Sequence, residues 1–179
     1  MNNYEFEQFV QENGNDILSF CKMQTMNVEY GNELYQDTML KLLEKQEKLD
    51  ASQNVKAYAL SVAILLWKNK KKKYLKRNKI VSIRSLDEIM TTDSSVLEDT
   101  VAPSPEGNVL EAEEVKMIQA IIADLPEKLK IPILLYYSSN MKIDEIAECM
   151  GESPNTIKTR LRRAKSILKE KLEALGYDR

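Results

Sequence analysis

The stretch MKIDEIAECMGESPNTIKTRLRRAKSIL, residues 141–168, decides the fold of this chain. In its first part Ile143, Ile146, Ala147 and Met150 recur at three- and four-residue spacing, so one helical stripe is apolar while Asp144, Glu145 and Glu148 face water. Ala147 is small where two helices would cross. Gly151 follows, at the place where a helix ends by entering the left-handed region that only glycine adopts cheaply. Ser153 offers a capping hydroxyl, and Pro154 suits a first helical position, where no backbone N–H is needed. On the helix so begun, Ile157, Leu161, Ala164 and Leu168 form the inward stripe. The opposite face presents Asn155, Thr159, Arg162, Arg163 and Ser166, flanked by Lys158 and Arg160.

A helix-turn-helix that reads DNA needs the start of its second helix at base edges and its cations on phosphates, which is the distribution predicted here. The competing interpretation is an amphipathic helical hairpin whose lysines and arginines only solubilise a surface. Glycine turn, capped proline start and one-sided basic charge agree with each other, and together they favour duplex DNA.

Working outward, the composition predicts an all-α protein of two small helical domains. Among 179 residues there are only five glycines and five prolines, and nearly every apolar run has helical period. No run approaches the ~20 apolar residues needed to span a bilayer, and the N-terminus lacks the basic-then-apolar order of a secretion signal, so a cytoplasmic protein without membrane insertion is expected. The two cysteines, Cys21 and Cys149, are far apart and the chain has no histidine. They are expected to be packing thiols, with neither a zinc site nor a disulfide. Without histidines, a glycine-rich phosphate loop or a nucleophile beside a base, neither catalysis nor a cofactor nor a metal is expected.

The net charge of −2 hides a segregated pattern. Residues 1–50 are acidic overall, 68–79 are intensely basic, 87–114 are acidic again, and 158–171 return to positive. Two basic islands flanking an acidic segment suggest two attachment points on one polyanion. The acidic segment also holds Thr91, Thr92, Ser94, Ser95, Pro103, Pro105 and Gly107, which cannot bury much apolar surface. The expected organisation is therefore a domain over 1–80, a flexible linker over 81–110 and a domain over 111–179.

Helices are expected over 3–13, 15–27, 30–48 and 54–76 in the first domain. In the second they are expected over 111–124 and 126–137, the latter with Leu129, Ile133 and either Tyr136 or Tyr137 inward and Pro132 as a kink. On the 30–48 helix, Tyr35, Thr38, Met39, Leu42 and Leu43 gather on one side, while Leu40 falls opposite, beside Asp37, Lys41 and Glu44. Leu40 is either a docking spot for another protein or one more exposed leucine. The 54–76 helix is apolar almost all round from Ala57 to Trp67 and then becomes almost purely basic. Tyr58, Trp67 and Tyr74 interleave with this charge, a mixture suited to single-stranded nucleic acid, although Tyr58 and Trp67 taken singly read as core.

With both halves in view, the chain resembles the extracytoplasmic-function sigma factors of the sigma-70 family, the dissociable promoter-specificity subunits of bacterial RNA polymerase. The runs Asp124–Lys128, Ile133–Tyr137, Ile143–Glu148 and Thr156–Ala164 are similar to the family's region four. The run Glu33–Leu42 resembles region 2.2, and Asn54–Tyr58 leading into the basic helix resembles regions 2.3 and 2.4. One departure is Ile64 and Leu65, where many members carry polar or basic residues. The resemblance implies that Asp37, Leu40, Lys41 and Glu44 dock on core RNA polymerase, at the beta-prime coiled coil, with the beta subunit a further partner. It assigns Asn54, Lys56, Tyr58, Ser61, Lys68, Asn69, Lys70 and Lys71 to a melted minus-ten promoter strand. It assigns Asn155, Thr156, Lys158, Thr159, Arg160, Arg162 and Arg163 to minus-thirty-five duplex. An anti-sigma factor is implied as a further partner. The rival expectations are an autonomous regulator that binds operator DNA without polymerase, and a recombinase-like enzyme carrying this domain as a tail.

Overall fold

Among the described residues seven α-helices form, in the order α1 (Asn3–Thr25), α2 (Val28–Glu44), α3 (Val55–Val81), α4 (Val109–Ala123), α5 (Glu127–Tyr137), α6 (Ile143–Met150) and α7 (Pro154–Ala174), with one 3-10 turn at Gln46–Lys48. No strand forms among the described residues, so the all-α expectation holds for them. The structure, a computed structural model, describes the backbone of residues 1–81 and 109–177 and the side chains of 1–73 and 115–177. The expected linker lies largely outside the described residues, as does the side chain of Tyr74.

Local sequence explains most helix ends. Asn2 caps α1 by accepting from Glu5 N at 2.9 Å while Glu5 Oε2 accepts from Asn2 N at 2.8 Å. Asn27 caps α2 by accepting from Tyr30 N at 2.9 Å, and Asn54 caps α3 by accepting from Ala57 N at 2.9 Å. The expected break near residue 14 is absent, because Gly14 is buried inside a continuous α1. A Cβ at Gly14 would lie 3.0 Å from Tyr35 Oη, so that glycine serves a close approach to α2 and does not end a helix. Gly31 is tighter still, since its Cβ would stand 2.6 Å from Lys22 Cα where α2 crosses α1. The expected 30–48 helix starts earlier, at Val28, and stops at Glu44.

In the N-terminal half α2 and α3 both pack on α1, burying Ile17, Phe20, Leu34, Leu42 and Leu60 completely. Each such side chain contributes about 1.5–3 kcal/mol of burial. Leu43 corrects the sequence reading: it is 52% exposed, beside Leu40 at 55%, because Leu42 in the same last turn of α2 takes the fully buried position and Leu43, 100° further round, turns to solvent. In the C-terminal half α5, α6 and α7 enclose Ile133, Leu135, Ile146 and Ile157. Pro132 sits fully buried inside α5, Tyr136 turns inward, and Tyr137 is 63% exposed. The halves share one continuous core, joined where α1 meets α5 and where α3 meets α6.

Candidate nucleic-acid interface

The predicted helix-turn-helix is built from α6 and α7 by the residues that announced it. Gly151 closes α6 at φ 63°, Ser153 Oγ accepts from Thr156 N at 3.1 Å, and Pro154 opens α7. Ile157, Leu161 and Ala164 are buried against α5 and α6, which fixes the roll of α7 and turns its other face outward.

That roll sorts the seven residues expected on duplex DNA. Asn155, Lys158, Arg162 and Arg163 are exposed and share the outward face. Thr159 is exposed too, but its hydroxyl donates to Asn155 O at 2.9 Å, and Thr156 exchanges a hydrogen bond with Ser153 Oγ at 2.9 Å. Arg160 is mostly covered, with its guanidinium 2.8 Å from Glu152 Oε1. This pair ties the second turn of α7 to the helix-turn-helix loop, a fixing role that periodicity alone does not reveal.

The residues expected on a melted strand occupy the start and the later turns of α3. Asn54 both caps α3 and donates from Nδ2 to Glu145 Oε1 of α6 at 3.1 Å. Tyr58 Oη accepts from Lys45 Nζ at 3.2 Å, and Ser61 Oγ donates to Tyr58 O at 2.7 Å. Lys56 is paired with Asp16 on α1. Lys68 and Asn69 are exposed. Lys70 lies 2.8 Å from Asp37 and 3.1 Å from Glu33; burial works against its charge, but the two carboxylates hold it above the ordinary lysine range. Lys71 pairs with Glu127 of α5 and lies 5.6 Å above the Trp67 ring. A cavity of about 600 Å³ opens beside Lys45, Asn54, Tyr58 and Ser61 and is walled on the far side by Glu148 and Cys149 of α6.

On α2, Leu40 and Leu43 stand exposed side by side, and Lys41 pairs with Glu44 at 2.6 Å. Asp37 faces α3 through Lys70. Leu43 is the residue sequence reasoning missed here; its place three positions after Leu40 was the available signal. Both cysteines are unpaired thiols, and burial pushes each up to about 12. No helix among the described residues is long and apolar enough to cross a membrane.

Comparison with known proteins agrees with this geometry. The family model described as Sigma-70 region 2 matches residues 9–79, and the one described as Sigma-70, region 4 matches residues 116–168. RNA polymerase sigma factor SigV of Bacillus subtilis (strain 168) is 43% identical over 49 residues, which span 27% of this chain and 30% of SigV. ECF RNA polymerase sigma factor SigW of the same organism is 24% identical over 163 residues, 89% of this chain and 84% of SigW. Two solved structures share the fold along 97% of this chain. One is the sigma factor RpoE in complex with the anti-sigma factor NepR from Bartonella quintana, with TM-score 0.75, 19% identity and 98% of that chain covered. The other is CnrH in complex with the cytosolic domain of CnrY, with TM-score 0.65, 17% identity and 90% of that chain covered.

Proposed function

This chain belongs to the sigma-70 family, as a sigma factor of the extracytoplasmic-function group, and we propose that it is a non-enzymatic initiation factor that directs core RNA polymerase to promoters from within the cytoplasm. In this reading the exposed pair Leu40 and Leu43, with Lys41, Glu44 and Asp37, fastens α2 to the polymerase. The α3 face around Asn54, Tyr58, Lys68 and Asn69 holds the opened minus-ten strand, and the outward face of α7 reads minus-thirty-five duplex. Catalysis belongs to the polymerase. Because the solved relatives RpoE and CnrH are described in complexes, RpoE with an anti-sigma factor and CnrH with the cytosolic domain of CnrY, an inhibitor of that kind is proposed as a partner here too.

The observation that carries the reading is the outward face of α7, where Asn155, Lys158, Arg162 and Arg163 stand together in solvent on a helix whose roll is locked by three buried side chains. Bidentate arginine contacts to guanine are worth about 1–3 kcal/mol each, whereas phosphate contacts weaken all sequences alike. The test is reconstitution with sigma-free core polymerase, followed by run-off transcription from a promoter library. Arg162→Ala with Arg163→Ala should cut transcription and flatten promoter preference. Unchanged output and preference would refute the assignment.

A further inference from the structure

Glu152 is the single residue between Gly151, which closes α6, and Ser153, which caps α7. Its backbone belongs to α6: Glu152 N donates to Ala147 O at 2.9 Å and Gly151 N to Glu148 O at 3.2 Å, so the loop folds back on the last turn of that helix. Its side chain belongs to α7, because Oε1 accepts from Arg160 Nη2 at 2.8 Å, eight positions along the chain. Helical side chains lean toward the helix N-terminus, which is what carries Arg160 back over the loop. Arg160 is the outlier among the cations of α7: its side chain is 17% exposed, whereas Lys158, Arg162 and Arg163 stand in solvent.

We propose that Glu152 and Arg160 are a positioning pair that sets promoter discrimination without either side chain touching DNA. This rests on the reading of α7 as the duplex-reading helix, and it takes Arg160 out of the set that the family resemblance assigns to DNA. In a helix-turn-helix the first helix crosses the backbone while the second lies in the major groove, so the angle between them fixes how base contacts register with phosphate contacts. Glu152 is bonded to α6 through its backbone and to α7 through its carboxylate, which makes the two helices one rigid unit and brings Asn155, Lys158, Arg162 and Arg163 to the duplex in a single register. The charges argue the same way. An arginine with a carboxylate at 2.8 Å brings a phosphate little net charge, and a carboxylate on this loop by itself repels phosphate. The contribution of the pair is therefore geometric, and it falls on specificity more than on affinity.

The test uses the full chain reconstituted with core polymerase, a promoter fragment that the wild-type holoenzyme selects from a library, and the same fragment with its minus-thirty-five element scrambled. Discrimination is the ratio of the two affinities, measured from about 50 to 200 mM salt. Arg160→Gln should lower the ratio about three- to fivefold, the upper range for a partly exposed ion pair, and leave the slope of log affinity against log salt unchanged. Glu152→Gln should lower the ratio by the same factor although it removes a negative charge, and the double variant should be no worse than either single one. Circular dichroism should show the wild-type helix content in all three. A slope that falls by about one on Arg160→Gln would reveal a phosphate contact and overturn the proposal. So would a Glu152→Gln protein that binds both fragments more tightly with the ratio intact. A ratio indifferent to Arg162→Ala with Arg163→Ala as well would instead overturn the reading of α7 on which the pair's role rests.

Discussion

Replacing Lys130 with methionine should make the protein more stable, which is the reverse of what deleting a buried hydrogen-bonding group usually does. Lys130 is 7% exposed, and its Nζ reaches Gln24 O only at 3.4 Å, at the long end for a hydrogen bond. Burial, then the charge of Lys71, pushes it down to about 8 from an ordinary 10.5, with Glu127 pulling the other way. At 1.36 kcal/mol per pH unit, that gap corresponds to about 3 kcal/mol lost whenever the ammonium is charged in the folded protein. Methionine matches the stem in length and carries no charge, so about 2–3 kcal/mol should be recovered at pH 7, less whatever the long hydrogen bond contributed.

The pH dependence gives this its sign. A lysine with a folded value below its unfolded one binds fewer protons when folded, so wild-type stability gains from this group between pH 8 and 10.5, and the penalty is complete below 8. Cys21 and Cys149 act oppositely: held near 12, they keep protons that the unfolded chain gives up from about pH 9, and stability falls above that. Both thiols are common to the two proteins and cancel in the difference. Urea denaturation of wild type and Lys130→Met at several pH values should therefore show a gap of about 2–3 kcal/mol at pH 7 that closes toward pH 10.5. A variant less stable at pH 7, or a gap that does not change with pH, would refute the reasoning.

Gly31→Ala should cost about 2 kcal/mol or more in denaturant melts, because its Cβ meets Lys22 backbone at 2.6 Å and the α1/α2 crossing must widen. Ser153→Ala should cost about 1 kcal/mol by removing the cap that accepts from Thr156 N, and circular dichroism melts would detect it. Leu40→Asp with Leu43→Asp should leave folding stability within about 0.5 kcal/mol, since both side chains are more than half exposed. The same pair should weaken association with core polymerase about tenfold or more in a fluorescence titration, and unaltered affinity would remove α2 as the docking helix.

What the sequence made legible was local. Gly151, Ser153 and Pro154 each act on backbone within one turn, and α6 ends and α7 begins where those residues require. What it hid depends on a partner distant in the chain. Gly14 reads as a helix breaker until Tyr35 is brought against it, and nothing local marks Lys130 as the buried cation that reaches Gln24 O of α1. Arg160 reads as one more outward cation until Glu152 is found 2.8 Å from its guanidinium. The candidate site divides the same way: the roll of α7 follows from its own period, whereas the pairing of Lys70, Lys71 and Asn54 follows from which carboxylates the fold delivers.

That division bears on how the chain can act. The outward face of α7, proposed to read duplex, is set by short-range chemistry: its own period, the Gly151 turn and the Ser153 cap. The α3 residues proposed to hold the strand are paired through long-range contacts, and among the described residues Glu127 meets Lys71 and Glu145 meets Asn54 across the junction. Exposed ion pairs of this kind are worth about 0–1 kcal/mol, and the Lys130 penalty offsets them. The halves are thus held chiefly by apolar contact, where α1 meets α5 and where α3 meets α6.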